Sequence, residues 1–166
     1  MTLLPVSEAQ VRLLDRTTVL EDEPVRIAEA VNRWTTSDIR AKRTQPAADL
    51  SAMDGYAVRY ADMPGPWHVV GESAAGGCYD RTVQSGEAVR IYTGATVPDG
   101  ADTVVIQEDV SREGDTLTYA DEESTPKGKN IRRAGSDFSE GQILIPAGSR
   151  LTARHIALAT LAGISR

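Results

Sequence analysis

Short β-branched runs separated by turn residues fill the middle of the chain, and this pattern restricts the fold more than any other feature. The runs span residues 56–58, 67–70, 88–92, 103–106 and 116–119. Glycine, proline and aspartate, which favour turns, lie between them. The pattern predicts an all-β module, which we place between residues 46 and 135.

The N-terminal end of the chain carries helical patterns instead. Ser7 and Gln10 have the spacing of a capping box and precede an apolar stripe that includes Val11, so a helix is predicted here. Pro24 then opens a second amphipathic stretch over residues 25–31, which we also expect to be helical.

The C-terminal end repeats this character after one more strand, predicted at residues 142–145. Thr152 suits an N-cap and Gly163 suits the C′ position, so a final helix is predicted between them. Together the patterns predict an α+β fold. Residues 1–45 and 136–166 would form a discontinuous helical domain, with the β-rich domain, residues 46–135, inserted into it.

Charge and composition exclude several functional classes. The net charge is −6, with fifteen acidic and four basic residues in 46–126 but seven basic and two acidic in 127–166. An acidic chain with only two Trp, five Tyr and one Phe is a poor partner for nucleic acid. A single cysteine excludes an internal disulfide and any multi-cysteine zinc site. No signal peptide or long apolar window is visible, so we expect a cytoplasmic protein that binds neither nucleic acid nor membrane.

The first motif with chemical potential is Ser51-Ala-Met-Asp-Gly-Tyr-Ala57. An Asp-Gly pair permits a tight turn and projects the Asp54 carboxylate from a loop that enters a strand. A carboxylate placed in this way can hold Mg²⁺, which prefers oxygen ligands. The alternative is an ordinary Asp-Gly turn in which Met53 and Tyr56 only pack.

The second motif runs from Ile91 to Glu108 and contains Thr93-Gly94, a Pro-Asp-Gly turn, and a second strand ending in Gln107-Glu108. A hydroxyl beside glycine lets an anionic oxygen approach backbone N–H groups. The alternative is a β-turn-β unit whose turn residues serve geometry alone.

The third motif, residues 127–137, holds four cations within seven residues: Lys127, Lys129, Arg132 and Arg133. Such a loop is suited to phosphate or an oxyanion, and Asp137 adds a carboxylate. The alternative is a solvated basic loop that balances the acidic module. If the motifs meet, Asp54, Asp137 and Glu108 could hold Mg²⁺ opposite the cations, which would bind the anion.

These motifs, in this order and spacing, closely resemble the N-terminal part of the molybdopterin molybdenumtransferases, the MoeA family that includes the E domain of gephyrin. The flanks agree as well, from Glu29-Ala30 and Asp38-Ile39 to the run Pro146-Ala-Gly-Ser-Arg-Leu151. The resemblance covers nearly the whole chain.

The resemblance implies an elongated homodimer built on a discontinuous helical domain. It also implies an enzyme that inserts molybdenum from molybdate into adenylylated molybdopterin with Mg²⁺ and releases AMP, and that works with a molybdopterin adenylyltransferase-like protein or domain. By motif, it assigns catalytic roles to Asp54, Thr93, Arg132 and Asp137. We expect Ser51, Gly94, Lys129 and Arg133 to bind the cofactor substrate, and Asp54, Asp137 and Glu108 to bind metal.

The chain also departs from the family pattern. Ala48-Asp49-Leu50 replaces a Phe-Asp-Asn or Phe-Asp-Arg stretch, Tyr92 replaces a common methionine, and Ser136 replaces a common glutamate. Family enzymes also continue into further domains that complete the site. We therefore expect this chain to be the N-terminal portion of a longer enzyme and inactive alone. Two alternatives stay open: a non-catalytic scaffold module, and a simple oxyanion-binding module based on residues 127–133.

Overall fold

The computed structural model describes residues 4–77, 79–120 and 125–165. Cys78 and most of the acidic stretch 121–126 lie outside these residues. Within them are two α-helices, α1 (Val6–Leu14) and α2 (Ala153–Leu161), and ten short strands. The strands are β1 (Ile39–Arg40), β2 (Leu50–Ser51), β3 (Gly55–Val58), β4 (Trp67–Ser73), β5 (Glu87–Ile91), β6 (Thr103–Ile106), β7 (Val110–Glu113), β8 (Thr116–Tyr119), β9 (Ile131–Arg132) and β10 (Ile143–Ile145).

Six of the strands form one twisted sheet, which we call the sheet unit (residues 55–119). Its strand order is β6-β3-β5-β4-β8-β7, and every pairing is antiparallel except that of β4 with β5. The five strands predicted in the middle of the chain are confirmed as β3, β4, β5, β6 and β8, and β7 pairs with β8 as a hairpin.

Both faces of the sheet unit bury apolar side chains. One face carries the cluster of Tyr56, Val58, Trp67, Val69, Ala88, Val105 and Leu117. The other carries Ala57, Ile91, Ala95 and Val104. Alternation along β3 divides its residues between the two clusters, as the period of two in a strand requires.

Gly55 opens β3 at a place where only glycine fits. Its backbone lies so close to β6 that an added Cβ would sit 2.0 Å from the carbonyl oxygen of Val105. Real Cβ atoms do not approach backbone oxygens so closely. The glycine of the first motif is therefore required by packing between strands, and its φ is not in the left-handed region.

The two ends of the chain meet in a second unit, the end unit (residues 27–42 with 139–164). Strand β1 pairs with β10, and the Thr35 hydroxyl donates to the Pro146 carbonyl oxygen at 2.9 Å. Ala30, Ile145, Leu151 and Ala159 form its buried cluster. The predicted pairing of N-terminal with C-terminal segments is thus seen as contacts, but the helical domain predicted for them is not confirmed. The described chain consists of mixed sheets with few helices.

The final helix follows the prediction closely. The Thr152 hydroxyl accepts a hydrogen bond from the His155 N–H at 3.4 Å, and His155 Nδ1 in turn accepts from the Thr152 N–H. Gly163 takes a φ of +86°, which ends the helix in the left-handed region. Local capping signals therefore determine both ends of α2.

The N-terminal predictions need correction. Helix α1 exists, but Pro5 is its N-cap and makes no side-chain cap, so the predicted Ser7 capping box is wrong: Ser7 lies inside the helix. The stretch 25–31 forms only a 3₁₀ turn at Ile27–Glu29, because Arg26 is extended before it and Asn32 has a φ of +69° after it. Ile27 and Ala30 pack against α2 without needing a longer helix.

No helix within the described ranges is long and apolar enough to cross a membrane.

Candidate functional site

The three sequence motifs meet beside one end of the sheet unit. Strand β2, whose Ser51 begins the first motif, pairs with β9 of the third motif, and Ala52 N–H donates to the Asn130 carbonyl at 2.8 Å. Ser51 N–H donates to the Ala95 carbonyl, and Gly94 N–H donates to the Ser51 carbonyl, both at 2.9 Å. Backbone hydrogen bonds therefore hold the first motif between the other two. We call residues 49–54, 92–96 and 129–137 the site loops.

Asp54 is fixed by the second motif. Its Oδ1 accepts hydrogen bonds from the Thr93 backbone N–H at 2.7 Å and from the Thr93 hydroxyl at 2.8 Å. These two bonds, with a smaller contribution from the Arg90 charge, lower the pKa of Asp54 below its ordinary value of 3.8. The half-exposed carboxylate is therefore ionised at neutral pH. Its Oδ2 receives no hydrogen bond from the described residues.

Ser51 and Gly94 serve the fold as well as the site. The Ser51 hydroxyl donates to the Met53 carbonyl at 2.6 Å, which tightens the loop before Asp54. Gly94 has a φ of +82°, and an added Cβ would meet nothing within 4 Å. Because the Gly94 N–H is already used by Ser51, what Gly94 offers a ligand is open space beside Thr93.

The cationic loop is largely neutralised by carboxylates. Arg132 Nη2 lies 2.6 Å from both oxygens of Asp137, and Lys127 Nζ lies 3.2 Å from Asp102. Arg133 pairs with Asp49. Of the four cations, Lys129 is the only one without an ion-pair partner among the described residues.

Two of these carboxylates also bind backbone groups. Asp49 accepts a hydrogen bond from the Ala134 N–H at 2.8 Å, and that bond together with Arg133 lowers the pKa of Asp49. Burial opposes ionisation of Asp102, but the Tyr60 N–H and Lys127 outweigh it, so the pKa of Asp102 is also lowered. These pairs lock the third motif onto the first motif and the sheet.

The predicted metal ligands do not form a preassembled metal site among the residues that the structure describes. Within the described part of the chain, no three His, Cys, Asp or Glu side chains are grouped as a metal site. Asp137 is engaged by Arg132, and Glu108 Oε1 accepts from the Gln107 side-chain amide at 3.2 Å. Asp54 and Glu108 each keep one carboxylate oxygen that no described residue bonds, and only Asp54 belongs to the site loops. Mg²⁺ often takes one or two protein carboxylates plus substrate oxygens, so Asp54 suits it, and the other two ligands stay predictions.

Two further residues, Arg90 and Asp49, belong to this site, although the motifs did not indicate them. Arg90 contacts Gly55 and Gln107, and Asp49 holds Arg133. The one available signal for Arg90 is its position as a lone charge within the apolar strand Ala88-Val-Arg-Ile91. For Asp49 the one signal was the aspartate of the Phe-Asp-Asn stretch of the family, which this chain keeps; its partner Arg133, 84 residues away, could not be inferred locally.

A concavity lies away from the site loops, in the end unit. It is a groove of about 500 Å³ bounded by residues 23–42 and by α2, and no predicted site residue lines it. Trp34, which is 66% exposed, stands at this groove with Ile39 and Ile156. The site loops therefore offer an open surface, whereas the apolar groove belongs to the segment of the chain predicted to dimerise.

Comparison with known proteins gives a consistent result. A family model described as the MoeA N-terminal region (domain I and II) matches residues 4–163. A protein of Haemophilus influenzae named molybdopterin molybdenumtransferase is 36% identical over 168 residues, covering 98% of this chain and 41% of that protein. A protein of the same name from Nostoc is 37% identical over 146 residues, covering 83% of this chain and 33% of that protein.

Solved structures agree. The crystal structure of the molybdopterin biosynthesis moeA protein from Pyrococcus horikoshii OT3 matches with a TM-score of 0.86 and 34% identity, covering 99% of this chain and 44% of that one. The chain thus spans about a third to two fifths of the curated relatives it matches.

Proposed function

This chain belongs to the MoeA N-terminal family, and from that premise we propose that it is the N-terminal portion of a molybdenum-insertion enzyme. The reaction transfers molybdenum from molybdate to adenylylated molybdopterin and releases AMP. The observation that carries the proposal is the convergence of the three motifs around an ionised Asp54, with Lys129 and Arg132 on the adjoining loop.

Asp54 is the first residue to which we assign a role. Thr93 holds its Oδ1 with two hydrogen bonds, which leaves Oδ2 to face a ligand cation. Mg²⁺, when bound, supplies positive charge that lets anionic oxygens approach a carboxylate. Thr93 therefore acts through Asp54 by fixing its orientation and its ionised state.

The cations of the third motif bind the anionic substrate in this proposal. Lys129 provides a point charge that is not committed to an ion pair among the described residues. Arg132 is able to grip an oxyanion with two N–H groups, but it must first exchange Asp137 for the ligand. Asp137 then becomes available as a second carboxylate of the site loops.

The proposal extends to organisation and partners. Residues 1–45 and 136–166 are assigned to dimerisation, residues 46–135 to the inserted domain, and the protein to the cytoplasm. Helix α1 supports the first assignment, because it buries none of its residues and exposes Val11, Leu13 and Leu14. A molybdopterin adenylyltransferase-like domain completes the cleft, which makes this portion inactive alone.

A decisive experiment replaces Asp54 in the full-length protein. We expect Asp54→Asn to reduce molybdenum cofactor formation at least about 100-fold, since loss of one preorganised electrostatic group commonly has that effect. The measurement is cofactor formation from molybdate and adenylylated molybdopterin in vitro. Asp99→Asn, at an exposed turn outside the site loops, is the matched control. Activity of Asp54→Asn close to that of the control would contradict the proposal.

The same two variants distinguish the catalytic proposal from the scaffold alternative. A non-catalytic module would keep its self-association and would show no change in cofactor formation for either variant. Light scattering on the wild-type chain and on Asp54→Asn measures the association. A strictly monomeric mass would contradict the dimerisation assignment and leave the catalytic assignment of Asp54 to its own test.

A further inference from the structure

Arg90 occupies an unusual position on the sheet unit. It lies on β5 opposite Tyr56 of β3 and Glu72 of β4, on the face that carries the apolar cluster with Tyr56 and Ala88. Its guanidinium carbon is 5.1 Å from the ring centre of Tyr56 and 4.9 Å from that of Tyr92. These cation–π contacts hold the guanidinium group between two aromatic side chains.

The guanidinium nitrogens reach both sides of the Asp54 turn. Nη1 donates to the Gly55 carbonyl at 3.2 Å, and Nη2 donates to Oε1 of Gln107 at 2.6 Å. Gln107 N–H donates to the Asp54 carbonyl at 3.1 Å. Arg90 therefore connects the residue after Asp54 to the residue that binds the Asp54 backbone.

The same chain of contacts continues from Gln107 to Glu108, another of the predicted metal ligands. The Gln107 side-chain amide donates to Glu108 at 3.2 Å. Glu72, the nearest acid by strand register, accepts from the Tyr92 hydroxyl at 3.3 Å. Within the described residues, Arg90 makes no ion pair. Its guanidinium group instead contacts the Gly55 carbonyl, the Gln107 side-chain carbonyl and the rings of Tyr56 and Tyr92. An arginine placed for charge neutralisation alone would be paired with a carboxylate.

We propose that Arg90 is a positioning residue: its planar guanidinium ties the Asp54-Gly55 turn to Gln107 and so presents the Asp54 carboxylate to Thr93 in one orientation. The importance of that orientation for catalysis rests on the proposed function, whereas the tie itself does not. Lysine cannot replace it, because an ammonium group lacks the planar fork that spans two acceptors while stacked on an aromatic ring.

The tie can be measured on this chain without any substrate. The Thr93 amide proton reports the hydrogen bond to Asp54, and NMR gives its chemical shift and its exchange rate. We expect Arg90→Met to accelerate Thr93 amide exchange at least about tenfold, as for a locally opened hydrogen bond. Arg90→Lys should behave like Arg90→Met. Thr93 shifts and rates equal to wild type in either variant would overturn the proposal.

The control is a second arginine stacked on a tyrosine. Arg81 lies 5.4 Å from the Tyr79 ring and makes no hydrogen bond to the site loops in the described structure. Arg81→Met should leave the Thr93 amide unchanged. Amides of Val58 and Ala88 in the sheet core check that each variant is folded. If Arg90→Met does not fold, Arg90→Lys alone decides the outcome.

Kinetics of the full-length protein then separate this inference from the proposed function. A positioning role predicts that Arg90→Lys lowers kcat for cofactor formation at least about tenfold with KM nearly unchanged, because the group acts on the reacting geometry. A changed Thr93 amide in a protein that forms no cofactor would sink the proposed function and leave the tie intact. If the Thr93 amide were unchanged in the Arg90 variants while Asp54→Asn was still inactive, the Arg90 tie would be contradicted and the proposed function would stand.

Discussion

The sheet unit and the end unit bury their apolar side chains very differently. In the sheet unit, both faces are covered, and residues such as Val58, Val104 and Leu117 have no exposed surface. In the end unit, Trp34 exposes 66% of its surface at the groove, and Leu161 of α2 exposes 44% of its surface. One unit is self-sufficient in packing, and the other leaves apolar surface uncovered.

This difference explains where the site loops are found. They are anchored to the sheet unit by hydrogen bonds from the Val104 N–H to the Lys129 carbonyl, from the Gln107 N–H to the Asp54 carbonyl and from the Asn130 side chain to the Val104 carbonyl. A site needs rigid support to hold charged groups within a narrow geometry, and a fully packed sheet provides it. Uncovered apolar surface is instead typical of a surface that another molecule covers.

The most severe test of the comparison is Gly55→Ala. Because the new Cβ would lie 2.0 Å from the Val105 oxygen, β3 and β6 cannot stay paired. We expect a loss of more than about 4 kcal/mol in the free energy of unfolding, measured by urea denaturation. Gly77→Ala, whose Cβ would meet its nearest atom at an ordinary 3.5 Å, is the matched control. If Gly55→Ala were as stable as the wild type, the sheet unit would not be the more tightly packed of the two units.

Truncation of one leucine in each unit sharpens the contrast. Leu117 is fully buried, so Leu117→Ala should cost about 2–5 kcal/mol of unfolding free energy. Leu161 is 44% exposed, so Leu161→Ala should cost less than about 1 kcal/mol in the monomer. Chemical denaturation at low protein concentration measures both. Equal costs would mean that the end unit is as tightly packed as the sheet unit.

The cap of α2 tests how much the end unit depends on local signals. Thr152→Ala removes the hydroxyl that accepts from His155 N–H and should cost about 1 kcal/mol. Thr160→Ala, which removes an exposed hydroxyl that bonds Ile156 within the helix, is the control. Circular dichroism during thermal unfolding follows both variants. A larger loss for the control would mean that the capping box adds nothing to the helix.

Acid should loosen the site loops before the rest of the molecule. The folded-state pKa values of Asp49, Asp54 and Asp102 are lowered, so each adds stability that is fully present well above their ordinary value of 3.8 and is lost progressively as the pH falls through the lowered folded-state values. The exposed Asp49–Arg133 pair should contribute less than about 1 kcal/mol. Unfolding free energies measured between pH 6 and pH 3 should fall less steeply in Asp49→Asn than in wild type. Parallel curves would exclude Asp49 as a source of the acid effect.

The sequence predicted those parts of the fold that local chemistry determines. Turn residues delimited the strands, and Thr152 and Gly163 marked both ends of α2. In each case the signal lies within a few residues of the structure it specifies. The family resemblance added the expectation that the motifs meet.

Long-range pairing could not be predicted in the same way. Nothing near Arg133 or Lys127 in the sequence reveals that Asp49 or Asp102 neutralises them, so the loop was expected to be more cationic than it is. The helix expected over residues 25–31 failed for a related reason. Tertiary contacts of Ile27 and Ala30 with α2 are satisfied by a single 3₁₀ turn, and the local helical pattern was overridden.

The joining of the two chain ends has a consequence for the order in which the protein is made. The Thr35 hydroxyl finds its acceptor on Pro146, 111 residues further along the chain. At ribosomal rates of about 5–20 residues per second, the first half of the end unit waits about 6–20 seconds for the second. The eight strands between them, β2 to β9, emerge during that interval, and the six of the sheet unit can pair as they appear. The segment synthesised early is therefore among the last to acquire its native contacts.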